Sequence, residues 1–177
     1  MKIGLFYGST TCYTEIAAEK IQESIKSFFD EDENIVELHN IKEEPLVSCL
    51  DYDLIIFGIS TWDYGELQED WESSWLDINA LDLSDKVVAL YGMGDQVGYD
   101  KWFQDALGML HDQVFVQGAK LIGYWVNAGY KFSASKALTE NKDRFVGLSL
   151  DEENQYDLSD DRIEQWCEQI LVEYSEL

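Results

Sequence analysis

Apolar and polar positions follow two rhythms along the chain, and the rhythms alternate. The first run, Lys2–Gly8 (KIGLFYG), is short, apolar and ends in glycine, as a buried strand does. Thr14–Phe29 then places Ile16, Ala17, Ile21, Ile25 and Phe28 at helical spacing. Asn34–Leu38 alternates like a strand, and Asp53–Ser60 (DLIIFGIS) is apolar throughout, which predicts a strand covered on both faces. A short helix carrying Leu67, Trp71 and Trp75 is expected next, followed by a buried strand over Val87–Met93. Lys101–Phe115 reads as a helix with Phe103, Leu107 and Leu110 on one side, and Leu121–Val126 as a strand. Phe145–Leu150 reads as more of that same edge. Asp160–Tyr174 closes the pattern as a helix whose inward stripe is Ile163, Trp166, Ile170 and Leu171.

Strand and helix in strict alternation, with short connections, predict an open, doubly wound parallel α/β sheet of about five strands. Residues 127–144 break the rule: they form an irregular segment between two halves of the last strand, long for a connection in a compact domain. With no repeat, low-complexity tract or linker, residues 1–177 are expected to form one domain. Composition sharpens this. Hydrophobic residues at 46% and aromatics at 14% exclude disorder even though 36 acidic against 12 basic residues leave a net charge of −24. That charge argues against nucleic acid and against a polybasic membrane dock. No apolar run is long enough for a transmembrane helix, and the first residues lack the apolar core of a signal peptide. Cys12, Cys49 and Cys167 are odd in number and lack metal-ligand spacing, so a reducing, cytoplasmic setting is expected.

In such sheets ligands bind beyond the carboxyl ends of the strands, where strand order reverses. Three loops are therefore informative. Gly8-Ser9-Thr10-Thr11-Cys12-Tyr13-Thr14 sets four hydroxyls at a helix start, with no Lys or Arg, and can hold a phosphate on dipoles alone. Ordinary N-capping needs only one of those hydroxyls. The loop Ser60–Glu66 carries Trp62, either a stacking plate for a flat ligand or a lid on the core. The loop Gly92–Tyr99 has glycines that permit close backbone approach and presents Tyr99. A phosphate cradle with two loop aromatics suits a planar ring that ends in a phosphate, and FMN fits that description.

Four segments, FYGSTTCYTE, STWDYGELQEDWE, YGMGDQVGYDKWFQDALGML and FVGLSLDEENQYDLSDDRIEQWCEQI, carry a resemblance to flavodoxins of the long-chain type, most closely the second, B-type bacterial kind. The resemblance spans nearly the whole chain. It implies a five-stranded flavodoxin-like sheet of order 2-1-3-4-5, with residues 127–144 as the long-chain insertion in the last strand. It further implies non-covalently bound FMN with its phosphate wrapped by Ser9, Thr10, Thr11, Cys12, Tyr13 and Thr14. Trp62 would stack on the inner face of the ring and Tyr99 on the outer, with Thr61, Asp63, Tyr64 and Gly65 along its edge. Met93, Gly94 and Asp95 would meet the pyrimidine end, the last two through backbone groups, and Glu153 the ribityl chain. The implied role is a low-potential carrier of single electrons, monomeric, between a reductase (a ferredoxin/flavodoxin NADP reductase) and flavodoxin-dependent enzymes, all basic-faced partners.

Two positions depart from the family pattern. Cys12 stands where relatives have glycine, so a positive φ there would cost roughly 1 kcal/mol. Trp102 stands where relatives often carry asparagine; it either screens the pyrimidine edge or, as expected here, packs on Tyr99. The resemblance also implies that a carbonyl of the loop after the third strand turns to accept a hydrogen bond from flavin N5 on one-electron reduction. Here that peptide is Asp63–Tyr64, and without glycine its rotation should be harder and the one-electron-reduced state less favoured. Between Lys42 and Lys86 there is no basic residue but twelve Asp or Glu, including Asp63, Glu66, Glu69 and Asp70. Ordinary solvation accounts for part of that stretch; the rest should oppose negative charge on the reduced ring.

Other readings of the same loops fare worse. A tyrosine phosphatase of similar fold needs Arg six residues after its cysteine, where this chain has Ala18. A response-regulator receiver needs an acidic pair after the first strand, where Gly8-Ser9 stands. The remaining alternative is an FMN-dependent NAD(P)H:quinone reductase, which must hold a nicotinamide over the flavin face that Tyr99 is expected to cover.

Overall fold

The computed structural model describes residues 1–29 and 35–177. Its centre is a parallel sheet made of the apolar runs. β1 (Ile3–Tyr7), buried at every position, lies between β2 (Val36–Asn40) and β3 (Leu54–Trp62); Ile3 faces Val36 on one side and Leu54 on the other. The start expected for β2 at Asn34 lies outside the described residues. β4 (Glu66–Leu67) folds back antiparallel on the end of β3, and β5 (Val87–Met93) pairs in parallel along β3's other edge.

The last position in the sheet is shared. β6 (Lys120–Ile122) pairs with Val87–Ala89 of β5, and β9 (Leu148–Leu150) pairs with Tyr91–Met93, both in parallel. Between them, β7 (Trp125–Val126) and β8 (Arg144–Phe145) form a separate antiparallel ribbon. With the two-residue β4 set aside, the order β2-β1-β3-β5-β6 is the expected 2-1-3-4-5. The chain leaves the sheet after Ile122, earlier than a single strand over Leu121–Val126 would have it. Phe145 belongs to the ribbon, not to the sheet edge. Re-entry is tight: a Cβ on Gly147 would stand 2.3 Å from the Leu90 carbonyl oxygen, so only glycine lets the backbone come back onto β5 there.

Helices cover both faces, which is why the strands read as unbroken apolar runs. α1 (Tyr13–Lys26) buries Ala17, Ala18, Ile21 and Ile25, whereas Ile16 and Phe28 of the expected stripe are exposed. The small Ala18 allows close approach to the sheet, and the stripe rotates accordingly. The expected helix from Leu67 divides: Leu67 is in β4, α2 (Glu69–Ser73) starts after Gln68, and Trp75 opens α3 (Trp75–Asn79). Gln68 accepts the N–H groups of Asp70 and Trp71 and so caps α2.

α4 (Asp105–Val116) begins four residues later than the pattern predicts, because Gln104 adopts a left-handed conformation with φ 62. That turn sends the Gln104 amide inward to donate to the Gly92 and Leu150 carbonyls at the ends of two strands. Phe103 is buried all the same, from the turn ahead of the helix. α5 (Ser159–Ser175) buries Ile163, Trp166, Cys167 and Ile170, with Leu171 half-buried. Trp71 and Trp166 are the largest fully buried side chains, and each indole N–H is satisfied, by the Gly58 and Gly123 carbonyls at 2.8 Å. Among the described residues no helix is long and apolar enough to cross a membrane.

Candidate functional site

β1, β3 and β5 end on the same side of the sheet, and the loops that leave them surround a cleft of about 320 Å³. Thr11, Tyr13 and Thr14 line it from the first loop; Thr61, Trp62 and Asp63 from the second; Met93, Gly94, Asp95 and Tyr99 from the third; Glu153 from the loop after β9. All of these were expected at the site. Ser60 and Glu152 also line it and were not. The period-2 rule would have found Ser60, which shares a face of β3 with Trp62.

In the first loop the hydroxyls do not cap the helix. Cys12 is the residue ahead of α1, and no side chain caps the helix. The first-turn N–H groups are therefore left for a ligand, with the helix dipole behind them. Ser9 Oγ is buried with no hydrogen-bond partner in the protein. A buried hydroxyl in that condition costs about 1–3 kcal/mol unless something binds to it. Thr10 Oγ1 accepts from Gln68 Nε2 at 3.1 Å, which keeps its own proton free to donate. Cys12 has φ 68, so the strain anticipated for a side chain at that position is present. Ser9, Thr10 and Cys12 stand in the loop without lining the cleft itself.

The second loop is a tight turn between β3 and β4, where Trp62 faces Glu66. Trp62 Nε1 donates to Ser60 Oγ at 2.9 Å, which fixes the plane of an indole that lines the cleft. Asp63 has φ 43 and Gly65 φ 89. Tyr64 is 71% exposed and turns its ring away from the cleft lining onto Trp102, centroids 5.1 Å apart and planes at 69°. Trp102 thus has Tyr64 as its aromatic neighbour, not Tyr99; its link to Tyr99 is a backbone one, Trp102 N–H to the Tyr99 carbonyl at 3.0 Å. The turn closes so sharply at Gly65 (φ 89) that it packs against Trp102 and against Asp105 at the start of α4.

The third loop holds itself together. Asp95 Oδ1 accepts from the N–H groups of Val97 and Gly98 and from Asn154 Nδ2. Burial alone would raise the Asp95 carboxyl; these bonds, led by the one from Gly98, outweigh it and hold the pKa below the ordinary value. Asp95 Oδ1 is thereby engaged inside the loop. Gln96, fully buried, ties the loop to the buried Asp151 carboxylate through its N–H and Nε2, and accepts from Lys131 N–H of the insertion. Gln68, Gln96 and Gln104 were all missed, because a lone glutamine carries no pattern that separates it from a surface residue.

The arrangement is an uncharged, hydroxyl-rich loop at a helix start beside an aromatic-walled cleft, with carboxylates and no lysine or arginine on the lining. An orphaned donor and an uncapped helix suit a dianion, and two aromatic rings suit a flat heterocycle. The sequence profile of the family Flavodoxin matches residues 5–166. The chain is 54% identical to Flavodoxin 2 of Escherichia coli (strain K12) over 176 residues, 99% of this chain and 98% of that protein. It is 45% identical to a flavodoxin of Nostoc sp. (strain PCC 7120) over 173 residues, covering 98% and 97%. In three dimensions it resembles Fusobacterium nucleatum flavodoxin bound to flavin mononucleotide, with TM-score 0.88 and 27% identity over 97% of this chain and 98% of that one. The chain belongs to the flavodoxin family of FMN-binding electron carriers.

Proposed function

We propose that Ser9–Thr14 hold the FMN phosphate, that Trp62 and Tyr99 take the two faces of the ring, and that the chain passes single electrons from a basic-faced reductase to basic-faced acceptor enzymes. FMN supplies the one-electron chemistry when bound; the protein decides how tightly it is held and at what potential it works. Ser9 and Thr10 hydroxyls and the first N–H groups of α1 neutralise the phosphate by hydrogen bonding alone, so no lysine adds positive charge to the cleft. Thr61, Asp63, Tyr64 and Gly65 run along the ring edge, Met93, Gly94 and Asp95 meet its polar end through the main chain, and Glu153 lies toward the linking chain.

The carboxylates supply the potential. Asp63 lines the cleft, and Glu66, Glu69 and Asp70 follow on the next two elements. A unit charge ~10 Å away at an effective dielectric of ~20–80 contributes roughly 0.4–1.7 kcal/mol against further negative charge. For one electron that is about 20–70 mV per charge, at ~59 mV per tenfold. The same charges draw a basic partner to the exposed end of the cleft, with a rate that falls as salt rises. The partner's identity as a ferredoxin/flavodoxin NADP reductase, the monomeric state and the cytoplasmic setting are part of this proposal. As a flavodoxin, the chain carries electrons and turns over no substrate of its own.

The buried, unpartnered Ser9 hydroxyl at an uncapped helix is the observation that carries the phosphate assignment. The test compares FMN with riboflavin, which lacks the phosphate, by titrating flavin-free protein. Two charge-assisted hydrogen bonds lost amount to ~4 kcal/mol, so riboflavin should bind about 10³-fold more weakly. Equal affinities would place the phosphate elsewhere. Electron delivery is checked separately: NADPH alone should leave the yellow holoprotein unbleached, and a flavodoxin reductase should then start the reduction.

A further inference from the structure

The turn that carries Trp62 is held from outside the cleft, by the residues ahead of α4. A Cβ on Gly65 would stand 2.8 Å from Asp105 Oδ2 and 3.1 Å from Trp102 Cδ1, so the turn is pressed directly against both side chains. Trp102 also meets the ring of Tyr64 edge-on, and its main-chain N–H donates to the Tyr99 carbonyl. One residue outside the cleft lining thereby reaches the loops of both aromatic walls. Its neighbours are anchored in turn. Thr61 Oγ1 accepts the Ala106 N–H at 3.1 Å, and the buried Asp105 carboxylate accepts Lys136 N–H at 2.8 Å from the insertion. The base on which Trp102 sits is therefore fixed to the end of β3 and to the 127–144 segment.

We propose that Trp102 is a positioning residue for the flavin: with its indole against Tyr64 and Gly65, and its main-chain N–H tied to the Tyr99 carbonyl, it sets the position of the Trp62 turn relative to the other aromatic wall and the freedom of the Asp63–Tyr64 peptide. This rests on the reading of the cleft as the flavin site. The clamp acts on the loops and leaves Ser9–Thr14 untouched, because among the described residues no hydrogen bond joins that segment to Trp102 or to the turn at 63–65. Removing the indole should loosen the ring end alone.

The experiment compares wild type with Trp102→Ala and Trp102→Phe, measuring dissociation constants for FMN and riboflavin, both one-electron midpoint potentials, and the melting temperature of the flavin-free protein. Trp102→Ala should weaken both flavins about tenfold, keep the FMN-to-riboflavin ratio of the wild type, and move at least one midpoint potential. Trp102→Phe, which keeps an aromatic face for Tyr64, should restore affinity and potential. Unchanged affinity and potentials in a folded Trp102→Ala protein would overturn the proposal, and so would failure of phenylalanine to restore them. Should Trp102→Ala fail to fold, Tyr64→Ala and Trp102→Leu, which fills the space without an aromatic ring, carry the test through a double-mutant cycle: coupled effects support the clamp, additive effects overturn it. A wild type that fails to prefer FMN over riboflavin overturns the phosphate assignment instead, whatever Trp102 does, so the two failures are told apart.

Discussion

Two polar clusters sit on this sheet and differ in whether they close on themselves. Beside β1 and β2, His39 Nδ1 lies 2.6 Å from Glu44 Oε2 and Nε2 lies 2.6 Å from the Tyr52 hydroxyl, which donates to Glu37 Oε2 at 2.6 Å. Lys2 completes the set, 3.3 Å from Glu37 Oε1 and 4.6 Å from the centre of the Tyr52 ring. Both ring nitrogens of His39, the Tyr52 hydroxyl and both Glu37 oxygens have protein partners in that cluster. At the carboxyl end of β1 the opposite holds: Ser9 Oγ is buried and unpartnered, α1 is uncapped, and Cys12 and Asp63 sit at positive φ. The closed cluster contains the more reactive side chains, a histidine among carboxylates, yet it braces the edge of the sheet. The open one contains hydroxyls and backbone, and it is built for a ligand. The unpartnered Ser9 hydroxyl, the uncapped helix and the positive φ angles occurring together, rather than the residue types, set the open cluster apart.

Substitutions of similar size should therefore act in opposite directions in the two clusters. Tyr52→Phe leaves His39 Nε2 and Glu37 without their partner and should destabilise the flavin-free protein by about 2 kcal/mol, read by urea unfolding, with FMN affinity unchanged. A change in FMN affinity would mean that the clusters are coupled. Ser9→Ala removes an orphaned hydroxyl: flavin-free stability should hold or rise, while FMN affinity falls about tenfold. Loss of stability without loss of affinity would show Ser9 to be structural.

Cys12→Gly releases a left-handed residue from its side-chain penalty and should raise flavin-free stability by up to about 1 kcal/mol, part of the gain being offset by unfolded-chain entropy. Asp63→Asn should raise the lower midpoint potential by tens of millivolts, ~20–70 mV at ~10 Å, with the shift shrinking in high salt. No shift at low salt would remove Asp63 from the electrostatic account.

The smallest effect is in pH. The Tyr52 hydrogen bond, followed by Lys2, holds the Glu37 carboxyl below its ordinary value. A carboxylate with a lowered folded pKa contributes stability that is present above its unfolded value of 4.5 and is lost as pH falls through the lowered one. Asp95, lowered from 3.8, contributes in the same direction. Stability should therefore fall on acidification below pH 4.5, and Tyr52→Phe should flatten that slope while leaving the Asp95 part in place. An unaltered slope would deny the Glu37 assignment.

Much of this was legible before any coordinates. Val87–Met93 forms a strand over the residues expected, the strand order agrees with the reading of the chain, and the three loops bring Trp62 and Tyr99 to one cleft with Glu153. What escaped has a common cause. α4 starts late because Gln104 turns its amide toward carbonyls at Gly92 and Leu150, the second 46 residues away. The last strand divides because Gly147 can approach Leu90 where other residues cannot. Trp102 meets Tyr64, 38 positions earlier, because Gly65 folds the turn against α4.

The sequence by itself determined the alternation of strands and helices, the sheet they build, and the loops that would carry a phosphate and a flat ring. These follow from side-chain period and from turn chemistry, which act over a few residues. Only the tertiary structure decided that Cys12 takes positive φ, that Ser9 Oγ is left without a partner, and that Trp102 meets Tyr64 and Gly65 from outside the cleft. Those are statements about which atoms are left over once distant segments have packed, and no local pattern contains them.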